Sequence, residues 1–283
     1  MSVNKNVLEL RMKNFKINEV KIDDFGRASG ILLLNKPVNI TSHDLVNKLR
    51  EKYQTKKVGH AGALDPFATG LMIMLIGKAT SLSNQFLELD KTYKTRIVFG
   101  IDTDSGDVEG KILNAKKFDF NFDKVKKAIL KFSGGYDQFV PVFSSVKVNG
   151  KKLRKLARTY SHFEIVGDSE KKEVLFYSLD GKFREKLNLP KRPVKIYDIK
   201  VLSYGKYDEP KEIFGNFYNE ENCRNLEKIM PVNFIDVEFS CSKGTYVRQF
   251  AKDLANELGT FGFLNKLERK AIGNFTLEMA VDL

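Results

Sequence analysis

A domain that mixes helices and strands is what this sequence predicts, on three observations. Short apolar runs bounded by turn residues, Gly30-Ile31-Leu32-Leu33-Leu34 and Leu71-Met72-Ile73-Met74-Leu75-Ile76, read as buried strands. Ile235, Val237, Phe239 and Cys241 alternate with Asp236, Glu238 and Ser240, the period of a half-buried strand. Leu45, Val46, Leu49 and Tyr53, and later Tyr246, Val247, Phe250, Leu254 and Leu258, instead fall on one side of a helix.

The 283 residues are enough to bury a substantial core, and a formal net charge of +12 makes a polyanion the favoured class of partner. Cys223 and Cys241 are too few for a disulfide framework and lack metal-ligand spacing, which fits a reducing, cytoplasmic setting. No apolar run reaches the length of a membrane span, and residues 1–28 are too polar for a secretory signal. The sequon-like Asn39-Ile40-Thr41 and Asn274-Phe275-Thr276 therefore carry no weight.

Residues 1–29 read as an N-terminal arm or a short edge element. After the strand at 30–34, Thr41-Ser42-His43-Asp44 offers capping side chains for the first helix, which ends near Lys56-Lys57. Gly77-Lys78-Ala79-Thr80 lacks the glycine spacing and the hydroxyl residue of a phosphate loop. Lys91 to Gly100 reads as a strand entering an acidic turn, Asp102 to Asp107. That turn fails the calcium-loop pattern, because Gly106 stands where a ligand belongs, and reads as solvated. Phe122, Val125, Ile129 and Leu130 mark a short helix closed by Gly134-Gly135. From Val146 to Arg158 six cations occur with no acid between them, and Leu153, Leu156 and Ala157 interrupt them at helical spacing. Such a face suits a phosphate backbone, although a solvated helix has the same composition. Residues 159–192 read as an irregular insertion, 194–201 as a strand and 206–224 as a polar connection. Phe263, Leu264 and Leu267 predict a last short helix.

Chemistry concentrates at Gly59-His60-Ala61-Gly62-Ala63-Leu64-Asp65-Pro66-Phe67-Ala68-Thr69-Gly70. Three glycines in twelve positions preclude a regular helix, and one carboxylate sits in a loop that feeds a buried strand. An Asp-Pro in a Gly-rich loop is ordinarily a turn. Arg248 is unusual in the opposite way: a cation in the first turns of a helix, away from the end that favours it.

In their order, the segments Gly30–Pro37, Gly59–Gly70, Lys91-Thr92-Tyr93, Gly150–Arg158, Ser242–Arg248 and Leu267–Phe275 resemble the TruB family of tRNA pseudouridine synthases. The resemblance covers most of residues 30–282. It implies an α+β pseudouridine synthase fold: a mixed, largely antiparallel central sheet flanked by helices, with a mobile basic thumb. The implied layout is an arm at 1–29 and a catalytic domain at 30–283, with the thumb at 136–165, an insertion at 161–190 and no C-terminal PUA domain.

The activity implied is isomerisation of uridine 55 (tRNA numbering) in the tRNA T loop, by a cytoplasmic monomer without metal or cofactor. By the same resemblance Asp65 is the nucleophile, Arg248 its guanidinium partner, and Tyr93 the ring that stacks on uracil and assists loss of the C5 proton. His60 matches the residue that props the space left by the flipped base, and Leu267 the apolar contact on the other face of uracil. Arg269 is expected as a pocket or phosphate contact and Lys36 as support behind the Asp65 loop, both counted among substrate-binding groups. Lys147, Lys151, Lys152 and Lys155 are expected to bind RNA from the thumb. The chain departs from the family pattern at Phe143-Ser144-Ser145 and at Arg154, where tyrosines are usual. Two other classes compete. A tRNA-binding folding helper would not need Asp65, Tyr93 and Arg248 together. A glycosidase ordinarily calls for paired carboxylates, and the Asp65 loop offers one.

Overall fold

The computed structural model describes residues 12–283; the first eleven residues of the expected arm lie outside them. The chain enters on an edge strand, β1 (Glu19–Ile22), antiparallel to β2 (Ala28–Lys36). Helix α1 (Ser42–Lys52) begins at a reciprocal cap: the Asp44 N–H donates to Thr41 Oγ1 at 3.1 Å and the Thr41 N–H to Asp44 Oδ2 at 2.7 Å. Strands β3 (Val58–His60), β4 (Thr69–Ile76) and β5 (Lys91–Phe99) follow. The apolar run of β4 does not alternate because both of its faces are covered. Met72, Met74 and Ile76 join the larger core beneath the helices, whereas Leu71, Ile73 and Leu75 join a second core with Ile31, Leu33 and Phe86.

Helix α2 (Phe122–Leu130) leads to β6 (Tyr136–Phe139), and a basic segment then closes a two-residue turn at Asn149-Gly150. Both turn residues have positive φ, 49° and 79°, as such tight hairpins require. The helix read across 146–158 is therefore shorter: α3 spans Leu153–Thr159, and Lys147, Lys151 and Lys152 lie on the ribbon before it.

Residues 159–192 are not irregular. Strands β7 (His162–Gly167), β8 (Lys172–Tyr177) and β9 (Phe183–Leu189) form an antiparallel sheet of their own. Val174, Phe176, Leu187 and Leu189 turn inward onto Phe139, Val142, Leu153 and Leu156, a third small core. The polar outer face masks that alternation in the sequence. Strand β10 (Lys191–Val194) pairs with β6, and β11 (Ile196–Tyr207) returns the chain to the main sheet. The 206–224 connection also has structure, since short helical turns bury Ile213 and Phe214.

Strand β12 (Val232–Cys241), helix α4 (Val247–Glu257), strand β13 (Gly262–Ile272) and strand β14 (Phe275–Thr276) complete the domain. The expected helix at 263–267 is thus the start of a long strand. Register shifts at Leu264/Lys266 and Arg269/Ala271 break the period of two, so its apolar residues fall at helix-like intervals. The main sheet runs β1-β2-β4-β13-β5-β12-β11, with β3 beside β4 and β14 beside β13. Its pairs are antiparallel except β13 with β4. Among the described residues no helix is long and apolar enough to cross a membrane.

Candidate active site

The loop between β3 and β4 places Asp65 above the parallel pair at the centre of the sheet. Such a loop has no ladder to satisfy its carbonyls, and buried cations do so instead. Lys36, at the end of β2 and fully buried, donates to the carbonyls of Pro37 (2.8 Å), Ile40 (2.8 Å) and Pro66 (3.1 Å). Arg269, on β13 and 1 % exposed, donates to Leu71 O at 2.7 Å, Gly62 O at 3.1 Å and Ala63 O at 3.4 Å. Both cations are buried, with their donors on backbone carbonyls of the Asp65 loop and its flanks. From the start of α1, buried Ser42 accepts from the Leu64 N–H at 2.8 Å and lies 3.0 Å from Leu64 O, to which it donates. The residue before Asp65 is thereby fixed at both of its backbone polar groups.

Arg248 projects from the first turn of α4. Its Nε stands 2.9 Å from Asp65 Oδ2 and 3.6 Å from Asp107 Oδ2, while its terminal nitrogens donate to Ser105 O (2.7 Å) and Phe143 O (2.9 Å). Exposure divides the cluster: the side chains of Arg248 and Asp107 are 7 % and 5 % exposed, whereas that of Asp65 is 40 % exposed. A guanidinium out of water is costly unless its donors are matched, and here they are. The accessible end of the arrangement is a carboxylate held by a cation that solvent does not reach.

Asp107 was expected in a solvated turn and is instead buried against Arg248. Its carboxyl accepts from Ser105 Oγ at 2.6 Å and from the Glu109 N–H at 3.1 Å. Burial pushes its pKa up, and Arg248 and these hydrogen bonds oppose the shift. The one signal in the sequence is Gly106, whose φ is +78° and where a Cβ would lie 3.1 Å from the Lys252 side chain and 3.5 Å from that of Arg248. Close approach of α4 requires that glycine.

Tyr93 lies on β5, paired in register with Arg269, and its ring packs 6.1 Å from that of Phe239. Burial raises its phenol pKa, while the charge of Arg269 works against the shift. Leu267, two residues before Arg269, is buried in the same core as Tyr93 and Leu64. His60 is half-buried at the end of β3, and burial, followed by the charge of Arg269, lowers its pKa. Its Nδ1 is enclosed without a hydrogen-bond partner. The imidazole is therefore neutral at pH 7, suited to contact with a ring more than to proton transfer. Of the cations on the ribbon and α3, Lys151 is held by Glu185 at 2.7 Å, whereas Lys147, Lys152 and Lys155 are exposed.

A solved Cbf5-Nop10-Gar1 complex shares the fold, with a TM-score of 0.56 at 20% identity over 89% of this chain and 52% of that one. An archaeal box H/ACA Nop10-Cbf5 complex does so with a TM-score of 0.52 at 17% identity, over 89% of this chain and 50% of that one. A family model described as "TruB family pseudouridylate synthase (N terminal domain)" matches residues 50–182. The tRNA pseudouridine synthase B of Mycoplasma mycoides subsp. mycoides SC is 36% identical over 259 residues, which span 91% of this chain and 72% of that protein. The protein of that name from Prochlorococcus marinus is 34% identical over 257 residues, 90% of this chain and 66% of that protein. The chain belongs to the TruB family of pseudouridylate synthases.

Replacing Ser42 by Ala leaves both polar groups of Leu64 without their partner. The expected loss is about 1–2 kcal/mol of unfolding free energy in a urea titration. An unchanged midpoint would mean that the hydroxyl does not hold the loop.

Proposed function

We propose that this protein converts uridine 55 (tRNA numbering) of the tRNA T loop to pseudouridine, with Asp65 as the nucleophile. The observation that carries the reading is the 2.9 Å pair between an accessible carboxylate and a buried guanidinium. The tRNA pseudouridine synthase B proteins to which the chain is similar supply the substrate class.

The reaction breaks the C1′–N1 bond, turns the uracil and forms a C1′–C5 bond. N1 ends protonated and C5 gives up its proton, so no co-reactant enters. Asp65 adds to C6 of uracil or takes C1′ of the ribose, and either course needs an ionised, aimed carboxylate. Arg248 fixes one oxygen of that carboxylate by a charge-assisted hydrogen bond. Asp107, buried on the other side of the same nitrogen, holds Arg248 and does not reach substrate.

The target base must leave its loop to meet Asp65. In this reading Tyr93 and Leu267 sandwich the uracil, and His60 fills the space the base vacates. Burial leaves the Tyr93 phenol neutral at pH 7, so removal of the C5 proton through Tyr93 needs a relay. Lys147, Lys152 and Lys155 on the thumb clamp the T arm, with Lys151 restrained by Glu185. The protein acts as a cytoplasmic monomer, without metal or cofactor, since every step is a proton transfer or a displacement by these groups.

Asp65→Asn is expected to reduce pseudouridine formation on a T-arm hairpin by more than about a thousandfold, with RNA affinity within a few-fold. Continued conversion by that variant would remove Asp65 from the nucleophile's role. Wild-type protein that binds the hairpin tightly and converts none of it would favour a folding helper.

Replacing Lys147, Lys152 and Lys155 together by Ala should flatten the salt dependence of binding by about 2 in log–log slope, less than one per lost phosphate contact. An unaltered slope would place the RNA elsewhere on the surface.

A further inference from the structure

Helix α4 carries Arg248 yet has no side-chain cap of its own at Tyr246, the residue that begins it. That role falls to Gln138, on β6 at the base of the thumb and 2 % exposed. Its Oε1 accepts from the Tyr246 N–H at 2.7 Å, and its Nε2 donates to Tyr246 O at 3.1 Å. One side-chain amide thus matches both backbone polar groups of a single residue, as a neighbouring strand would. Nε2 also lies 2.6 Å from the hydroxyl of Tyr136, which donates to Asp253 at 3.0 Å. Gln249 donates to the other oxygen of Asp253 at 2.8 Å. Residues 136 and 138 share a face of the strand, and 246 and 253, seven apart, share a face of the helix. The strand therefore grips α4 at two points a helical repeat apart.

We infer that Gln138 is a positioning residue for the Arg248–Asp65 pair, fixing the first turn of α4 against the base of the thumb. The inference rests on the roles proposed above for Asp65 and Arg248. Three facts support it. Arg248 lies two residues beyond Tyr246, so a shift of that turn carries the guanidinium with it. The Arg248 terminal nitrogen bonds the carbonyl of Phe143, five residues after Gln138 in the same segment, so the segment holds both helix and guanidinium. A group needed only to fill volume would be apolar, since a buried amide is tolerated only where its donor and acceptor are both met. A displacement of about 1 Å at a reacting group can cost about a hundredfold in rate.

The test uses Gln138→Met, which keeps length and volume and removes both hydrogen-bonding functions. Single-turnover conversion of a T-arm hairpin is expected to fall about 10–100-fold, with the Kd for the hairpin within about threefold of wild type. Gln138→Glu, which keeps the acceptor and loses the donor, is expected to fall between the two and decides the matter should Gln138→Met not fold. A wild-type rate in the folded variants, or a loss confined to Kd, would overturn the inference. Loss of the fold in both would overturn it too, by showing that the amide supports the domain instead of aiming Arg248. The result is separable from the nucleophile assignment: activity retained by Asp65→Asn sinks that assignment whatever Gln138 does.

Discussion

A guanidinium withdrawn from water is the constraint on which the rest of the structure depends. Removing an ion from solvent costs several kcal/mol unless its donors are matched, and Arg248 meets acceptors from three separate stretches of chain. Asp65 comes from the β3–β4 loop, Asp107 and Ser105 from the turn after β5, and Phe143 from the thumb. None of the three would find its place without the others. Of the two carboxylates against Arg248, Asp65 is the one that opens to solvent.

Beneath that cluster lies a second tier of buried cations. Lys36 and Arg269 hold the backbone of the Asp65 loop through its carbonyls. The glycines suit this arrangement. Gly70 has φ +108°, and a Cβ there would fall 2.4 Å from the carbonyl of Arg269, so the loop approaches β13 as closely as backbone allows. Loop, strand and buried guanidinium form one rigid seat for the carboxylate, as precise chemistry requires. The segment from Phe139 to Leu189 differs in kind: its small core of Val142, Leu153, Leu156 and Phe176 is separate from the main one, and Lys147, Lys152 and Lys155 are exposed on it.

Much of this was legible in the sequence because local rules and global fold agree there. The buried strands at 30–34 and 71–76, the capped helix after Thr41, and Arg248 near a helix start all follow from spacing and residue type. What stayed hidden depends on tertiary placement. A short acidic turn has the same composition whether it faces water or a guanidinium, so Asp107 read as solvated. Lys36 as a support and Arg269 as a pocket or phosphate contact came from the resemblance, because nothing local distinguishes a cation aimed at carbonyls from one aimed at phosphate. Bulges concealed β13, and a polar outer face concealed the β7–β9 sheet. Gln138 carries no mark in the sequence at all; only its two bonds to Tyr246 reveal it.

On the proposed reading, Arg248 aims the Asp65 carboxylate at the nucleotide. The most direct test of that role is single-turnover tritium release from a C5-labelled T-arm hairpin by Arg248→Met, with hairpin affinity measured alongside. A rate at least about a thousandfold below wild type at near-normal affinity is expected. A rate within about tenfold of wild type would contradict that role.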